Sequence, residues 1–230
     1  MVIPPGRVVG GVVVQLTEAF FADPLALDNN YVIPVRMVNV ENADTILSGR
    51  PNPLAVNPQR LFAEDWEILP MDYTLYAVKF VNKWHGYYLR RGFDQITGED
   101  GLVITRDIVR RNRFVENDQV VPLTSGSLTT IDMPVVHQNH LGVNIQTPIR
   151  LTFDDNGGIA VSSPSNAYTV TGSGQFVKDG EKNSWGNEDR DVIYLNYTID
   201  LDIMNVVTSD TLVLRNRGVG METFTVIPVD

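Results

Sequence analysis

Two stretches hold most of the side chains able to do chemistry. The first, "KFVNKWHGYYLRRG" (79–92), sets Trp84, His85, Tyr87 and Tyr88 among four Lys and Arg residues. Exposed rings beside cations suit contact with a sugar or a nucleic acid. On a two-residue period, Phe80, Trp84 and Tyr88 fall on one face and Lys83, His85 and Tyr87 on the other. That is the pattern of a half-buried strand, with Trp84 and Phe80 in the core and His85 and Tyr87 as the contact surface. A catalytic His85 would need a partner acid and a nucleophile, and no nearby spacing supplies them. The second stretch, "DGEKNSWGNEDRD" (179–191), surrounds Trp185 with amides and acids. Trp185 could stack on a sugar face while Asn183, Asn187 and Arg190 bond its hydroxyls. Alternatively, Trp185 folds back over the end of a sheet and the acids cap turns. A calcium loop would need the D-x-[DN]-x-[DN]-G spacing and a closing Glu, which this stretch does not have.

Other constellations are weaker. His137 and His140 stand three apart, and a metal would need further converging ligands. The spacing reads as two solvated histidines of a turn, so no metal residue is assigned. "GSG" (172–174) lacks the helix start and Lys of a phosphate loop. "NYT" (196–198) matches a glycosylation sequon but falls inside an expected strand. No nucleophile elbow or zinc-protease motif is present, and no cofactor is assigned.

These residues need a scaffold, and composition says which kind. The 230 residues are 43% hydrophobic, enough for a sizeable core. There are 31 Val against 9 Ala, which favours pleated sheet over helix. The net charge of −10 argues against a general nucleic-acid binder. The absence of Cys removes disulfides, thiolate metal sites and Cys nucleophiles. Strands are expected over 10–16, 30–40 and 73–81, with a helical turn over 18–27 and a long Pro- and Asn-rich connection over 41–65. The clearest hairpin joins 148–153 to 159–163 through "DDNGG", where Asn156-Gly157 supplies positive φ. Strands over 168–178, 192–201, 210–218 and 221–229 continue a meander. The Gly- and charge-rich run 90–101 marks the expected domain junction.

The segments "VQLTEAFFADPLALDNNYVIPVRM", "DWEILPMDYTLYAVKFVNKWHGYYLRRG" and "YTVTGSGQFVKDGEKNSWGNEDRDVIYLNYTID" resemble a family of uncharacterised two-domain Bacteroidetes surface lipoproteins. Its members pair an N-terminal immunoglobulin-like domain with a C-terminal β-domain and are associated with glycan-utilisation loci. The resemblance implies an all-β chain. An immunoglobulin-like β-sandwich module over 1–98, incomplete at its N-terminus, precedes an antiparallel β-sandwich or barrel over 99–230. It also implies a non-enzymatic protein of the cell surface or periplasm, reaching the membrane through a lipid anchor absent from this chain. The expected partners are a polysaccharide or oligosaccharide and outer-membrane glycan-uptake proteins. The alternative is a structural or adhesin-type subunit that binds proteins through exposed sheet edges. The family carries no established site residues. Trp185, Asn183, Asn187, Arg190, Tyr87 and His85 are therefore candidates on their chemistry alone.

Overall fold

The structure, a computed structural model, describes residues 4, 6, 7, 9–98, 102 and 104–226. Two compact units divide the chain: Met1–Phe80 with Met221–Asp230, and Val81–Gly220.

In the first unit, α1 (Glu18–Ala22) ends where Asp23 turns the chain into a 3-10 turn over Pro24–Leu27. Asp23 Oδ1 accepts the Leu25 N–H at 2.9 Å, and Pro24 fills a position whose N–H would have no partner. The strands are β1 (Tyr31–Arg36), β2 (Arg50–Pro51), β3 (Trp66–Ile68) and β4 (Tyr73–Val78). They make two antiparallel ladders of two strands each, β1 with β4 and β2 with β3. Pro34 lies opposite Leu75 in the first, consistent with a strand that has an open edge. Asp72 has no solvent exposure and gathers Arg60 (2.9 and 3.0 Å) and Arg36 (3.3 Å). The Arg60 hydrogen bonds, and then Arg36, hold its carboxyl down at about 2. Among the described residues of this unit, Ala26 and Pro70 are the only buried apolar side chains. The strand expected over 10–16 is reduced to a single bridge at Gly11.

The second unit holds β5 (Gly86–Gly98), β6 (Ile104–Arg110), β7 (Gln119–Ser125), β8 (Thr130–Met133), β9 (Val136–Gln138) and β10 (Asn144–Gln146). It continues with β11 (Ile149–Phe153), β12 (Gly158–Ser162), β13 (Thr169–Glu181), β14 (Arg190–Asp200) and β15 (Met204–Asn216). Eight of them close a ring, β5-β7-β8-β11-β12-β13-β14-β15, with β15 pairing back onto β5. This antiparallel barrel leaves its members no free edge along the seam. The start of β5 pairs with β7 and its second half with β6. β9 and β10 form a separate hairpin.

Period-2 alternation builds the interior. Ile149, Leu151 and Phe153 of β11 point inward, as do Ile193, Leu195, Tyr197 and Ile199 of β14. Trp84 stacks on Phe153 with centroids 3.8 Å apart, which places it in the core as its spacing predicts. The meander expected of the second half is present as β11 to β15. In the β11–β12 hairpin only Gly157 takes positive φ (81°), and Asp154 Oδ1 accepts the N–H groups of Asn156 and Gly158. Residues 221–226 form no strand, and 227–230 lie outside the described residues.

Two expectations need revising. The units meet at Phe80–Val81, not at 98–99, because β5 is laddered to β15 along its whole length. Nor does the strand expected over 73–81 reach its end or one period run unbroken through 79–92. β4 stops at Val78, and Asn82 caps a turn before β5 by accepting the N–H groups of Trp84 and His85 at 3.1 Å. Phe80 consequently packs edge-on to Phe21 in the first unit, while Trp84 belongs to the second.

Candidate functional site

The barrel interior is not uniformly apolar. The even-numbered residues of β5 and β15 point inward, which brings Arg90 and Asp94 to face Thr208 and Asp210. Tyr197 joins from β14 and Arg110 from β6. Arg90 places Nε 3.0 Å and Nη2 2.8 Å from Asp210 Oδ2, and Tyr197 donates to the same oxygen at 2.9 Å. Arg110 spans both acids, giving Nη2 to Asp210 Oδ1 at 2.6 Å and Nη1 to Asp94 Oδ2. Thr208 donates to Asp94 Oδ1 at 2.8 Å.

His137 enters this cluster from β9. It was expected to be solvated, yet it is 4% exposed because the hairpin turns it inward, where Nδ1 lies 3.2 Å from Thr147 Oγ1. Its Nε2 has no hydrogen-bond partner and lies 4.0 Å from Asp94 Oδ2. Burial, seconded by the Arg90 and Arg110 charges, pushes the imidazole down to about 4, so it is neutral at pH 7. Burial alone would raise Asp210, but the two arginines outweigh it and leave the carboxyl below its ordinary value. Asp210 is thus ionised, and both acids are held by guanidinium. Such an arrangement locks strands together and offers no proton at neutral pH.

Glycines make the packing possible. A Cβ on Gly92 would stand 2.3 Å from Ser209 O and 2.4 Å from Asp210 Oδ1. Gly172 and Gly174, the "GSG" of β13, lie under Tyr197 and Leu195, whose atoms would meet an added Cβ at 2.4 and 2.6 Å. Close approach of neighbouring strands therefore accounts for these glycines.

The outer wall of β13, β14, β15, β5 and β6 is different in kind. One register row reads Ser173, Asn196, Ser209, Phe93, Val109; the next reads Thr171, Thr198, Val207, Gln95, Asp107. Ser209 Oγ donates to Asn196 Oδ1 at 2.8 Å, which leaves the Asn196 amide N–H groups for an outside acceptor. Phe93, 38% exposed, lines a shallow depression of ≈ 330 Å³ together with Thr171, Asn196, Thr198, Val207 and Ser209. A ring among short hydroxyl and amide groups can meet a pyranose on its C–H face and on its hydroxyls.

The residues singled out from sequence lie elsewhere. Trp185, Asn183, Asn187 and Arg190 come together in the β13–β14 loop. Trp185 gives its indole N–H to Leu214 O at 3.2 Å and packs on Leu89, Val192 and Val213. Arg190 covers the ring at 4.2 Å from its centroid and is itself tied to Glu188 at 2.6 Å. Asn183 and Asn187 hold positive φ (47° and 57°), a conformation Asn tolerates well. Tyr87, 44% exposed, starts β5 against Gly218, and His85 Nδ1 accepts the Ser125 N–H at 3.2 Å. The loop lies by the start of β5, with Trp185 against Leu89, two residues beyond Tyr87. In the sequence, Phe93 stands in "RRGFDQITG" on a strand face it shares with Arg91, Gln95 and Thr97, and Asn196 lies inside the sequon.

Fold and interior together define an antiparallel β-barrel protein with an ionic core. Within that class, the family described as a domain of unknown function (DUF5627) matches residues 83–218, and the chain belongs to it. The match coincides with the barrel unit. A crystal structure from Bacteroides ovatus, described as of unknown function, is 47% identical with a TM-score of 0.82. The alignment covers 90% of this chain and 64% of that one, so the chain spans less than two thirds of its length. A multidomain protein including DUF1735, also from Bacteroides ovatus, aligns at 12% identity and a TM-score of 0.32, over 62% of this chain and 53% of that one. No curated protein matches.

Proposed function

We propose that this protein is a non-enzymatic, exported glycan-binding module serving polysaccharide capture at a bacterial surface, and that it binds through the outer wall of the barrel. The observation that carries this reading is Phe93, a half-open ring set beside Ser209, Asn196 and Thr198 in a shallow depression. On this reading the first unit is the immunoglobulin-like module of a lipid-anchored surface protein, with glycan-uptake proteins of the outer membrane as partners. Trp185, with its N–H and one face engaged, serves the loop. Affinity electrophoresis against a polysaccharide panel tests the idea. Phe93→Ala should weaken binding about tenfold or more, with no change in unfolding midpoint. A parent protein that binds none of the panel, or a Phe93→Ala variant that binds like the parent, overturns it.

A structural or adhesin-type subunit is the second reading. It draws on β1 and β4, which pair only with each other among the described residues. An apolar groove of ≈ 700 Å³ runs beside them, lined by Val12, Val14, Ile33, Val35 and Met37. Open edges of this kind recruit further strands. A strictly monomeric protein at high concentration would count against it.

A further inference from the structure

The glycan wall is bounded at one end by cations that no carboxylate among the described residues neutralises. β6 runs along the outside of β5, with Val109 opposite Phe93 and Arg110 opposite Gly92. Arg111 follows directly after the end of β6, two residues beyond Val109. Arg111 and Arg113 are both exposed, and among the described residues neither pairs with a carboxylate. Arg113 lies over the Phe114 ring, 5.1 Å from its centroid.

This end of the wall is built, not loose. Asp118, 4% exposed, accepts the Asn112 N–H at 2.8 Å and Arg91 Nε at 2.5 Å. Asn112 Nδ2 adds a bond to Asn117 O at 2.6 Å. The residue between the two free arginines is therefore pinned to a buried acid. At the other end of the same face, Asp107 is engaged by Gln95 at 3.3 Å. A charge gradient thus runs along β6, positive where the wall ends.

The protein as a whole carries −10, so polyanions are repelled at long range and any attraction must be local. Guanidinium forks fit carboxylates in a bidentate manner that ammonium groups do not match. Within the glycan-binding reading, on which this rests, we propose that the ligand is acidic: a uronate-bearing polysaccharide whose carboxylate is taken by Arg111 and Arg113 while Phe93 and Val109 meet the C–H face of the ring.

The test pairs polygalacturonate and alginate with their carboxyl-reduced, neutral counterparts, at about 0.1 M salt to screen the net charge. The parent should bind an acidic polymer and lose about tenfold or more in affinity when its carboxylates are reduced. The double substitution Arg111→Gln with Arg113→Gln should cause a similar loss on the acidic polymer and none on the neutral one. Both side chains are exposed, and an unchanged unfolding midpoint will confirm that the fold is intact. Equal binding of the acidic and reduced forms, or a double variant that binds like the parent, overturns this inference yet leaves glycan capture by Phe93 standing. Failure to bind any polymer, acidic or neutral, overturns both.

Discussion

Arg90 and Asp210 meet at 2.8 Å inside the barrel, 3% and 0% exposed at their side chains. They are 120 residues apart in sequence and sit on the two strands that close the ring. They are not register partners: Arg90 faces Leu212, and Asp210 faces Gly92. The missing side chain at Gly92 is what lets the Asp210 carboxylate lie between Arg90 and Arg110.

Asp210→Asn should therefore cost the barrel about 3 to 5 kcal/mol, since it leaves the Arg90 guanidinium without a counter-charge in a dry interior and Arg110 with Asp94 alone. Urea unfolding followed by Trp fluorescence reads this directly, through a lower midpoint at unchanged slope. A loss below about 1 kcal/mol would mean that water reaches the cluster.

Gly92→Ala tests the close approach itself. The added methyl carbon would stand 2.3 Å from the Ser209 carbonyl oxygen, and backbone cannot yield as a side-chain end can. The variant should be destabilised by about 3 kcal/mol or more, or fail to accumulate as folded protein. Gly220→Ala, whose Cβ would meet nothing within 4 Å, is the matched control and should be nearly silent.

His137 predicts a pH dependence. The unfolded imidazole takes its proton near 6.5 and the folded one only near 4, so the unfolded state binds more protons between those values. Stability is complete above pH 6.5 and falls as pH drops towards 4, by about 3 kcal/mol over the window. Arg90, Arg110, Asp94 and Asp210 all face the ring. Comparing His137→Gln with the parent isolates the share of the histidine together with its coupling to these acids. The variant should show a flatter acid limb in midpoints measured from pH 7 to pH 4.

Much of the architecture could be read from residue order. The Val-rich composition and the alternation of 148–218 foretold an antiparallel meander, and Trp84 announced itself as core. Closure could not be foreseen, because β5 and β15 are joined by a register that no local pattern records. The ionic core was equally hidden. Arg90, Asp94, Thr208 and Asp210 look like surface residues until the ring shows which face is inside. Trp185 attracted attention as a rare ring in a polar loop, but rarity does not reveal whether an indole N–H is already bonded. In the sequence alone, Phe93 between Gly92 and Asp94 reads as ordinary strand filling. Only the register of five strands shows that its neighbours are hydroxyls and amides.

The β5–β15 seam also governs how the molecule comes into being. A nascent chain emits β5 early, and Arg90 must then wait until Asp210 leaves the ribosome before its charge is answered. Until then β5 has β6 and β7 to lean on but nothing on its opposite flank, a half-made cylinder with ionic side chains open to water. Contacts so distant along the polymer make for slow assembly and a sticky interval before completion. Losing the final dozen residues of that last strand would leave the cylinder permanently unsealed, a far heavier blow than their number suggests.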